Sequence, residues 1–464
     1  MSESTNRRNF LKLAATGMAA VGLTGLTKSA SGLVVPPAFV TPSRKGTTAM
    51  GMRCEPIQKV RIGVIGLGMR GADAVTRLMQ VEGTEIKAVC DVIPERVKKS
   101  QEDVAKTGAN APAGYSNGPD DWQNLCKRDD IDLVYICTPW ELHTPNAVFA
   151  MKNGKHAAVE VPAALTVEQC WELVDTSEET RKHCMMLENC CYDFFELSTL
   201  MMARKGILGE LMHAEAAYIH DLRWLKFDKE NGYQDMWRLK YSQYHTGNPY
   251  PTHGLGPVAQ AMGINQGDRF EYLTSVSTNQ VGMSQYAINK FGNGSAEAKQ
   301  IYRLGDMNTT VVKTANGKTI MIQHDTTSPR PYSRIHLLSG TNGIAQKWPE
   351  EQIALEPNAH SWLKKDEFDK LMAENQHPLT IKIGDKAKKV GGHGGMDFIM
   401  DYRLIYCLRN GLPLDQTVYD AAAWSSIVEL SEKSVLNRGT SVEIPDFTRG
   451  EWTRTKAWDI VSVE

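Results

Sequence analysis

The feature that most constrains the fold is a glycine-rich turn between a short apolar stretch and a helical pattern. The apolar stretch runs from Val60 to Ile65, and the turn that follows reads Gly66-x-Gly68-x-x-Gly71. Strand, glycine turn and helix in this order are typical of the first unit of a doubly wound sheet that binds a dinucleotide. Gly66 permits the tight bend, Gly68 lets the backbone approach a pyrophosphate, and Gly71 lets the helix pack close to the strand. We therefore expect phosphates to bind at the helix N-terminus.

A second strand-like stretch, residues 85–91, ends on an acidic residue. Asp91 lies twenty residues after Gly71, the spacing at which a carboxylate hydrogen-bonds the adenosine ribose. A 2′-phosphate would be repelled by this carboxylate. The pattern therefore predicts NAD as the cofactor and disfavours NADP.

Strand and helix patterns alternate between residues 59 and 189, which predicts an α/β domain of the Rossmann type. Strands are expected at 132–139, 155–162 and 184–189, with helices at 146–153 and from an N-cap at Thr166 to Glu178. Beyond residue 190, strand patterns follow one another at 209–220, 271–280, 308–314, 319–326 and 334–339, before helical patterns at 396–410 and 417–437. Runs of strands joined by turns predict an α+β domain over 190–464, with a large open, mainly antiparallel sheet.

The N-terminus reads as an export signal. Arg7 and Arg8 are followed by Phe-Leu-Lys and then by a run of small apolar residues from Leu13 to Leu26. This order is typical of a Tat-type signal peptide, which we place at residues 1–31 and expect to direct the protein to the periplasm. Residues 32–58, rich in Pro, Thr and Ser, are predicted to be a linker.

Composition excludes several classes of partner. The net charge of −2 gives no reason to expect nucleic acid. No stretch after the signal is apolar for long enough to span a bilayer. The nine cysteines include no C-x-x-C pair, so we expect neither a structural disulfide nor a metal site.

Several motifs together resemble the Gfo/Idh/MocA oxidoreductases. The matching segments are the glycine turn, Cys137-Thr-Pro-Trp-Glu-Leu-His143, Val159-Glu-Val-Pro162 and Pro251-Thr-His-Gly254. With Asn248-Pro-Tyr-Pro-Thr-His-Gly-Leu-Gly-Pro257, Gly391-Gly-His-Gly-Gly-Met-Asp397 and the Tat-type leader, the chain is most similar to the NAD-dependent glycoside hydrolases of family 109. The resemblance covers residue 59 to the end. It implies a Rossmann domain joined to an open-sheet substrate domain, and activity as an α-N-acetylgalactosaminidase.

The resemblance also implies the residues of the site. The implied cofactor-binding residues are Gly66, Gly68, Met69, Arg70, Gly71, Asp91, Trp140, Glu141, Leu142, His143, Glu160, Val161 and Asn189. The implied substrate contacts are Tyr218, Arg238, Tyr250, His253 and Tyr332, where aromatic faces and an arginine suit a hydroxylated ring with an acetamido group.

Simpler interpretations stay open for some of these residues. Trp140 and His143 could only pack at a proline-containing turn, and Tyr218 could only be an alternating strand position. Arg238 could form a surface ion pair. His393 either lines the same cleft or marks a flexible turn.

One departure from the wider superfamily bears on the chemistry. The usual Glu-Lys-Pro carries a lysine that helps to deprotonate the substrate, whereas this chain has Val161 between Glu160 and Pro162. A histidine near its ordinary pKa suits the abstraction of a hydroxyl proton, although a single histidine in a loop is more often an ordinary residue. The resemblance at Tyr250-Pro-Thr-His253 implies that His253 is the acid/base, with Tyr250 beside it.

Three functions are compatible with these residues. The favoured one is a glycosidase in which oxidation at C3, elimination, water addition and reduction regenerate NAD in every turnover. The alternative is a net NAD-dependent sugar or inositol dehydrogenase. The third is a periplasmic sugar-binding protein that keeps NAD as a structural group. In each case the open sheet face predicts a homo-oligomer, most simply a dimer.

Overall fold

The computed structural model describes residues 41–456. The predicted signal peptide at 1–31 and the first part of the predicted linker lie outside these residues. The remainder of the linker is packed: Ala49 and Met52 are buried, and the Ala49 N–H donates to the Tyr419 hydroxyl at 2.9 Å. Within residues 41–456, no helix combines the length and the apolar character that crossing a bilayer requires.

The first sheet has six parallel strands in the order β3-β2-β1-β4-β5-β6. The strands are β1 (Val60–Ile65), β2 (Thr84–Cys90), β3 (Ala113–Tyr115), β4 (Leu133–Ile136), β5 (His156–Val159) and β6 (Cys184–Met186). The helices between them are α1 (Met69–Leu78), α2 (Pro94–Ala105), α3 (Trp122–Cys126), α4 (His143–Lys152) and α5 (Val167–Thr180). This order confirms the predicted Rossmann fold, and the Thr166 side chain caps α5 by accepting from the Gln169 N–H.

The second sheet has eight strands in the order β13-β12-β11-β7-β10-β9-β8-β14. They are β7 (Leu211–Ile219), β8 (Phe270–Ser277), β9 (Asn308–Thr314), β10 (Thr319–Asp325), β11 (Leu337–Gly340), β12 (Gly343–Gln346), β13 (Gln352–Leu355) and β14 (Val442–Glu443). All neighbours are antiparallel except β7 and β10, which are parallel. The mainly antiparallel sheet is confirmed, whereas the short strands β12 to β14 were not predicted because two to four residues show little periodicity.

The helices of the second half continue the series. They are α6 (Phe194–Arg204), α7 (Arg223–Lys226), α8 (Trp237–Tyr244), α9 (Thr252–Met262), α10 (Gly282–Phe291), α11 (Ala296–Lys299), α12 (Lys365–Glu374), α13 (Pro378–Val390), α14 (Met396–Asn410) and α15 (Val418–Leu436).

The last two helices return to the first domain. In α14, the buried Asp401 accepts a hydrogen bond from Arg77 of α1 at 3.0 Å and from the Tyr135 hydroxyl of β4 at 2.8 Å. Helix α15 packs against both α5 and β8. The chain segment after residue 395 therefore helps to bury the Rossmann sheet as well as the second sheet.

Candidate active site

The glycine turn has the geometry that a bound pyrophosphate requires. Gly66 has φ +86°, and a Cβ there would lie 2.6 Å from the Cys137 carbonyl oxygen. A Cβ on Gly71 would lie 1.7 Å from the Gly66 carbonyl oxygen, so α1 can approach β1 only with glycine at this position. A Cβ on Gly68 would meet no atom within 4 Å. Gly68 is also the N-cap of α1 and provides no side-chain cap, so the helix N–H groups face a space that phosphates can fill.

Asp91 follows β2 and fixes the turn from the other side. Its Oδ2 accepts from the Leu67 N–H at 2.7 Å, and its Oδ1 accepts from the Ile93 N–H at 2.9 Å. Arg96, which was not predicted, lies 3.7 Å from the same carboxylate. Asp91 is thus held rigidly at the end of β2, where the adenosine ribose of a dinucleotide binds in this fold.

A partly buried polar network joins the glycine turn to the C-terminal half of the chain. Arg70 donates to Glu160 Oε1 at 2.8 Å and to Asp397 Oδ2 at 2.8 Å. Asn189 Nδ2 donates to Asp397 Oδ1 at 2.5 Å, and His393 Nδ1 lies 2.9 Å from Asp397 Oδ2. Burial opposes ionisation of Asp397, but the hydrogen bond from His393 and the charge of Arg70 hold its pKa below the ordinary value. Three predicted cofactor residues, Arg70, Glu160 and Asn189, therefore converge.

Asp397 is the member of this network that sequence reasoning missed as a site residue. His393 belongs to the same network, in a loop where Gly391, Gly392, Gly394 and Gly395 have positive φ. The His393 side chain is 55% exposed, and its Nδ1 lies 3.3 Å from Arg70 Nη1, so it neighbours one of the predicted cofactor residues.

The segment after β4 holds four of the predicted cofactor residues, Trp140 to His143. His143 is buried, and both of its ring nitrogens lie 2.7 Å from backbone carbonyls, those of Pro162 and Thr138. It therefore ties the two turns that follow β4 and β5 together, which is the packing interpretation. Trp140 is buried, whereas Glu141 and Leu142 are exposed and Met69 is half exposed. Val161 is 2% exposed, so an apolar side chain fills the position of the missing lysine.

His253 lies in the first turn of α9 and forms a dyad with a buried glutamate. Its Nδ1 lies 2.8 Å and 3.1 Å from the two carboxylate oxygens of Glu188, and its Nε2 lies 3.3 Å from the Tyr250 hydroxyl. Because the carboxylate accepts from Nδ1–H, Nε2 is the nitrogen that can accept a proton from a substrate. Burial opposes ionisation of Glu188, but the charge and hydrogen bond of His253 lower its pKa.

Close backbone packing sets the position of the dyad. A Cβ on Gly254 would lie 2.3 Å from the Ala217 nitrogen, and one on Gly256 would lie 2.8 Å from Glu188 Cγ. Helix α9 can therefore lie directly on β7 and on Glu188 only because these positions are glycine. Glu188 was not predicted. The available signal was an acidic residue at the carboxyl end of a short strand, which alone does not single out a site.

The predicted substrate contacts form one aromatic cluster around this histidine. The Tyr218 ring centroid lies 4.7 Å from that of Tyr250, 5.3 Å from that of His253 and 6.2 Å from that of Tyr332. His220, which was not predicted, faces Tyr332 with a centroid distance of 5.1 Å. The structure thus brings together, in one cleft wall, residues that are up to 114 positions apart in the sequence.

Arg238 is not a surface ion pair. Its guanidinium carbon lies 4.4 to 5.1 Å from the ring centroids of four aromatic residues, which are Trp140, Tyr233, Trp237 and Tyr250. Cation–π attraction holds it in this cage, next to the phenols of Tyr218 and Tyr250. The guanidinium can donate hydrogen bonds to a hydroxyl or an amide carbonyl of a sugar.

One group of potential metal ligands exists among residues 41–456. Glu188, Cys190 and His253 place an oxygen, a sulfur and a nitrogen within 4.8 Å of one another. Spacing in the sequence did not reveal this group. A single proton between His253 Nδ1 and Glu188 accounts for the short contact, so the dyad is chemically complete as a general base. All nine cysteine thiols are free.

Comparison with known families divides the chain at the same place as the fold. Residues 60–188 match the model described as oxidoreductase family, NAD-binding Rossmann fold, and residues 192–454 match the glycosyl hydrolase 109 C-terminal domain.

Curated relatives match over most of the chain. An alpha-N-acetylgalactosaminidase of Bacteroides fragilis is 55% identical over 416 residues, which are 89% of this chain and 97% of that protein. A glycosyl hydrolase family 109 protein of Shewanella amazonensis is 46% identical over 462 residues, 98% of this chain and 99% of its own length.

Solved structures share the fold at low identity. An NAD-binding oxidoreductase of Klebsiella pneumoniae superposes with a TM-score of 0.65 at 16% identity, covering 84% of this chain and 99% of that one. A levoglucosan dehydrogenase in complex with NADH and levoglucosan gives 0.63 at 17% identity, covering 84% and 100%. These two likenesses establish the two-domain fold.

Proposed function

Because the chain belongs to glycosyl hydrolase family 109 and is a glycosidase with an NAD-binding domain, we propose that it releases terminal α-linked N-acetylgalactosamine from glycans. The proposed reaction is oxidation, elimination, water addition and reduction, with NAD regenerated in each turnover. The specificity is supported by the relative named alpha-N-acetylgalactosaminidase, and the redox route by the Rossmann domain.

The observation that carries this proposal is the adjacency of Glu188 and Asn189. The Glu188 carboxylate orients His253, the proposed base, while the Asn189 amide donates to Asp397 in the cofactor network. Two consecutive residues thus connect the base to the cofactor side of the cleft. A sugar bound against Tyr218 and Tyr250 would lie beside both.

The residues present fit NAD. The open space at Gly68, the uncapped N-terminus of α1 and Asp91 at the end of β2 suit the pyrophosphate and the adenosine ribose. When bound, the nicotinamide supplies reversible acceptance of one hydride from the sugar. Arg70, Glu160 and Asn189 would hold its ribose side.

The proton transfers of this reaction are assigned to side chains of the protein. His253 Nε2 is free to take a proton from a sugar hydroxyl or from C2, where the proton is acidic once C3 is a ketone. Glu188 stabilises the imidazolium that forms, and the Tyr250 hydroxyl, 3.3 Å away, can return a proton or hold the substrate oxygen. The Arg238 guanidinium can donate a hydrogen bond to the carbonyl oxygen of the acetamido group. No second carboxylate at glycosidase spacing is required by this route.

The decisive experiment follows deuterium in the released sugar. Incubation with p-nitrophenyl α-N-acetylgalactosaminide in deuterated water should yield nitrophenol, no net NADH, and product labelled at C2. His253→Ala should lose about 10²–10⁴ in rate while keeping its bound nucleotide. His245→Ala, at a half-exposed histidine outside the cluster, is the matched control.

Two results would overturn the proposal. Nitrophenol release without deuterium at C2 would indicate direct displacement at C1. Accumulation of NADH from free sugars, without glycoside cleavage, would support the alternative of a net sugar or inositol dehydrogenase, which the apolar Val161 disfavours.

We further propose that the protein is exported in folded form by its Tat-type leader and retains NAD in the periplasm. The twin arginine and the apolar run support export, and the ion pair of Arg70 with the buried Asp397 supports tight retention of the nucleotide. The mature N-terminus in a periplasmic fraction is the direct test, and recovery of the protein only from the cytoplasm would contradict it.

The second sheet supports a homo-oligomer. Val276 of β8 and Val311 of β9 lie on the outer face of the sheet and are 58% and 41% exposed. We propose that a second copy covers this face, since an exposed sheet with apolar side chains otherwise favours aggregation. Light scattering that gives a monomer mass at micromolar concentration would contradict it.

A further inference from the structure

A small buried cavity lies behind the aromatic cluster of the proposed substrate site. Tyr218, Tyr250 and Trp140 form one side of it, and Lys226, Arg238 and His324 line the rest together with apolar side chains. About 20 Å³ is open to the centre of a water-sized guest, and a single water needs roughly 10–15 Å³ by this measure. The cavity can therefore hold one small guest, but not a sugar or a nucleotide.

The first cation at the cavity is Arg238, which has no anionic partner. No carboxylate oxygen among the described residues lies within 4.0 Å of its guanidinium, and its Nε is buried without a hydrogen-bond partner. The aromatic cage stabilises the charge in part. Buried charges in proteins are normally paired because desolvation is otherwise costly.

The second cation is Lys226, which is 3% exposed. Its ammonium has three N–H groups and donates two hydrogen bonds, to Thr326 Oγ1 at 2.9 Å and to Ser242 Oγ at 3.2 Å. Both partners are neutral hydroxyls. Burial, followed by the charge of Arg238, lowers the pKa of Lys226 to about 7. Three carboxylates act on this pKa in the opposite direction, those of Asp325, Asp306 and Asp221. Within residues 41–456, the third N–H group of the ammonium has no hydrogen-bond partner beside the cavity.

The third polar group is His324 of β10, which is 2% exposed. Its Nδ1 is buried and has no hydrogen-bond partner among the described residues. Burial, together with the charge of Lys226, lowers the pKa of this ring to about 3, so it is a neutral hydrogen-bonding group at neutral pH. A guest in the cavity would relieve this unpaired atom as well as the two cations.

We propose that this cavity binds a small monovalent anion of the size of chloride or bromide, held by Lys226, Arg238 and His324. In the described part of the chain, neither cation has a carboxylate among its hydrogen-bond partners, and the unpaired nitrogens of Arg238 and His324 lie at the same cavity, so a negatively charged guest is favoured. The small volume excludes sulfate, phosphate and organic carboxylates. The apolar remainder of the lining, Leu222, Pro249 and Leu304, suits a weakly hydrated halide.

The anion would act as an internal counter-ion for the substrate-binding wall. It would bind on the side of Arg238 and Lys226 that faces away from the proposed sugar site and would neutralise their charges there. Arg238, Tyr218 and Tyr250 would then be held in position by an anion that does not contact the sugar. The site does not depend on the glycosidase reaction, since every group that defines it belongs to the folded chain.

Bromide provides the probe. Crystals of the full chain grown with sodium bromide in place of chloride should show one anomalous peak between Lys226 Nζ and the Arg238 guanidinium. In solution, sodium chloride should raise Tm by on the order of 1–3 °C over sodium gluconate at equal ionic strength. Lys226→Met should abolish both effects, whereas Lys240→Met, at an exposed lysine of α8, should leave both unchanged.

Each outcome of these two experiments either supports the anion site or overturns it. An anomalous peak in the cavity that is lost in Lys226→Met supports the proposal. An ordered cavity that contains only water in the presence of bromide, with equal Tm in chloride and gluconate, overturns it. If Lys226→Met does not fold, the bromide map of the unsubstituted chain decides the question alone.

Discussion

Glu188→Gln separates two roles that the carboxylate combines, orientation of His253 and stabilisation of its charged form. In the structure, Glu188 Oε1 accepts both from His253 Nδ1 at 2.8 Å and from the Cys190 N–H at 3.1 Å. Because two donors meet at this oxygen, the carbonyl of a glutamine should take the same place. The tautomer of His253 should then be preserved, and only the negative charge should be lost.

The size of the effect follows from that difference. A hydrogen bond to a charged group contributes roughly 1.5–3 kcal/mol against about 0.5–1.5 kcal/mol for a neutral pair, and the dyad is almost fully desolvated. The difference of about 1–2.5 kcal/mol predicts that Glu188→Gln reduces kcat by roughly 5- to 70-fold. Glu188→Ala, which also loses the orientation of His253, should reduce it by roughly 10²–10⁴-fold.

The assay is release of nitrophenol between pH 4.5 and 8, with bound NAD measured in each variant. Glu432→Gln is the matched control, because Glu432 Oε2 lies 3.1 Å from His245 Nδ1 in a second histidine–glutamate pair outside the cleft. A Glu188→Gln enzyme with unchanged kcat over this pH range would refute the role assigned to the charge. An equal loss in Glu432→Gln would show that the effect is structural.

Two further predictions concern the cofactor and stability. Asp397→Asn should release NAD at least about tenfold faster during dialysis, because the charge that binds Arg70 and His393 is lost. The control Asp385→Asn, at an exposed site on α13, should release NAD at the unsubstituted rate. If both variants retain NAD equally well, Asp397 does not belong to the cofactor site. The free energy of unfolding should fall as the pH is lowered from about 6.5 towards 4, because burial depresses the folded-state pKa of four histidines while the unfolded chain protonates them below about pH 6.5. The four are His183, His336 and His377, with a pKa of about 4, and His324, with about 3. Urea midpoints that stay constant over this range would contradict it.

The fold of the first domain could be predicted from the sequence because each of its strands and its glycine turn is marked by a short, continuous sequence pattern. The strands from β1 to β6 are short apolar runs bounded by turns, and the glycine turn requires particular backbone geometry at Gly66 and Gly71. The second sheet was predicted only in outline. The parallel pairing of β7 with β10 depends on contacts between residues about 100 positions apart, which no periodicity reports.

The residues of the candidate site show the same contrast between short sequence patterns and contacts with distant residues. His253 and Tyr250 were identified through a motif, whereas Glu188 and Asp397 were not, since a carboxylate acquires its role from the partner that folding brings to it. His143 was predicted from a cofactor motif, and its two contacts with backbone carbonyls could not be foreseen, because they join the turns that follow two different strands. Arg238 was predicted as a contact, but its aromatic cage could not be foreseen because Trp140 lies in the other domain.

The return of α14 to the Rossmann sheet has a consequence for biosynthesis. Arg77 and Tyr135 find their buried partner, Asp401, only after more than 200 further residues have been translated beyond residue 189. At 5–20 residues per second this is a delay of roughly 10–40 s on the ribosome. Throughout that interval the nascent first domain also lacks Asp397, the carboxylate to which Arg70 and Asn189 donate. A chain truncated before α14 would leave these donors, together with Arg77 and Tyr135, without their buried acceptors.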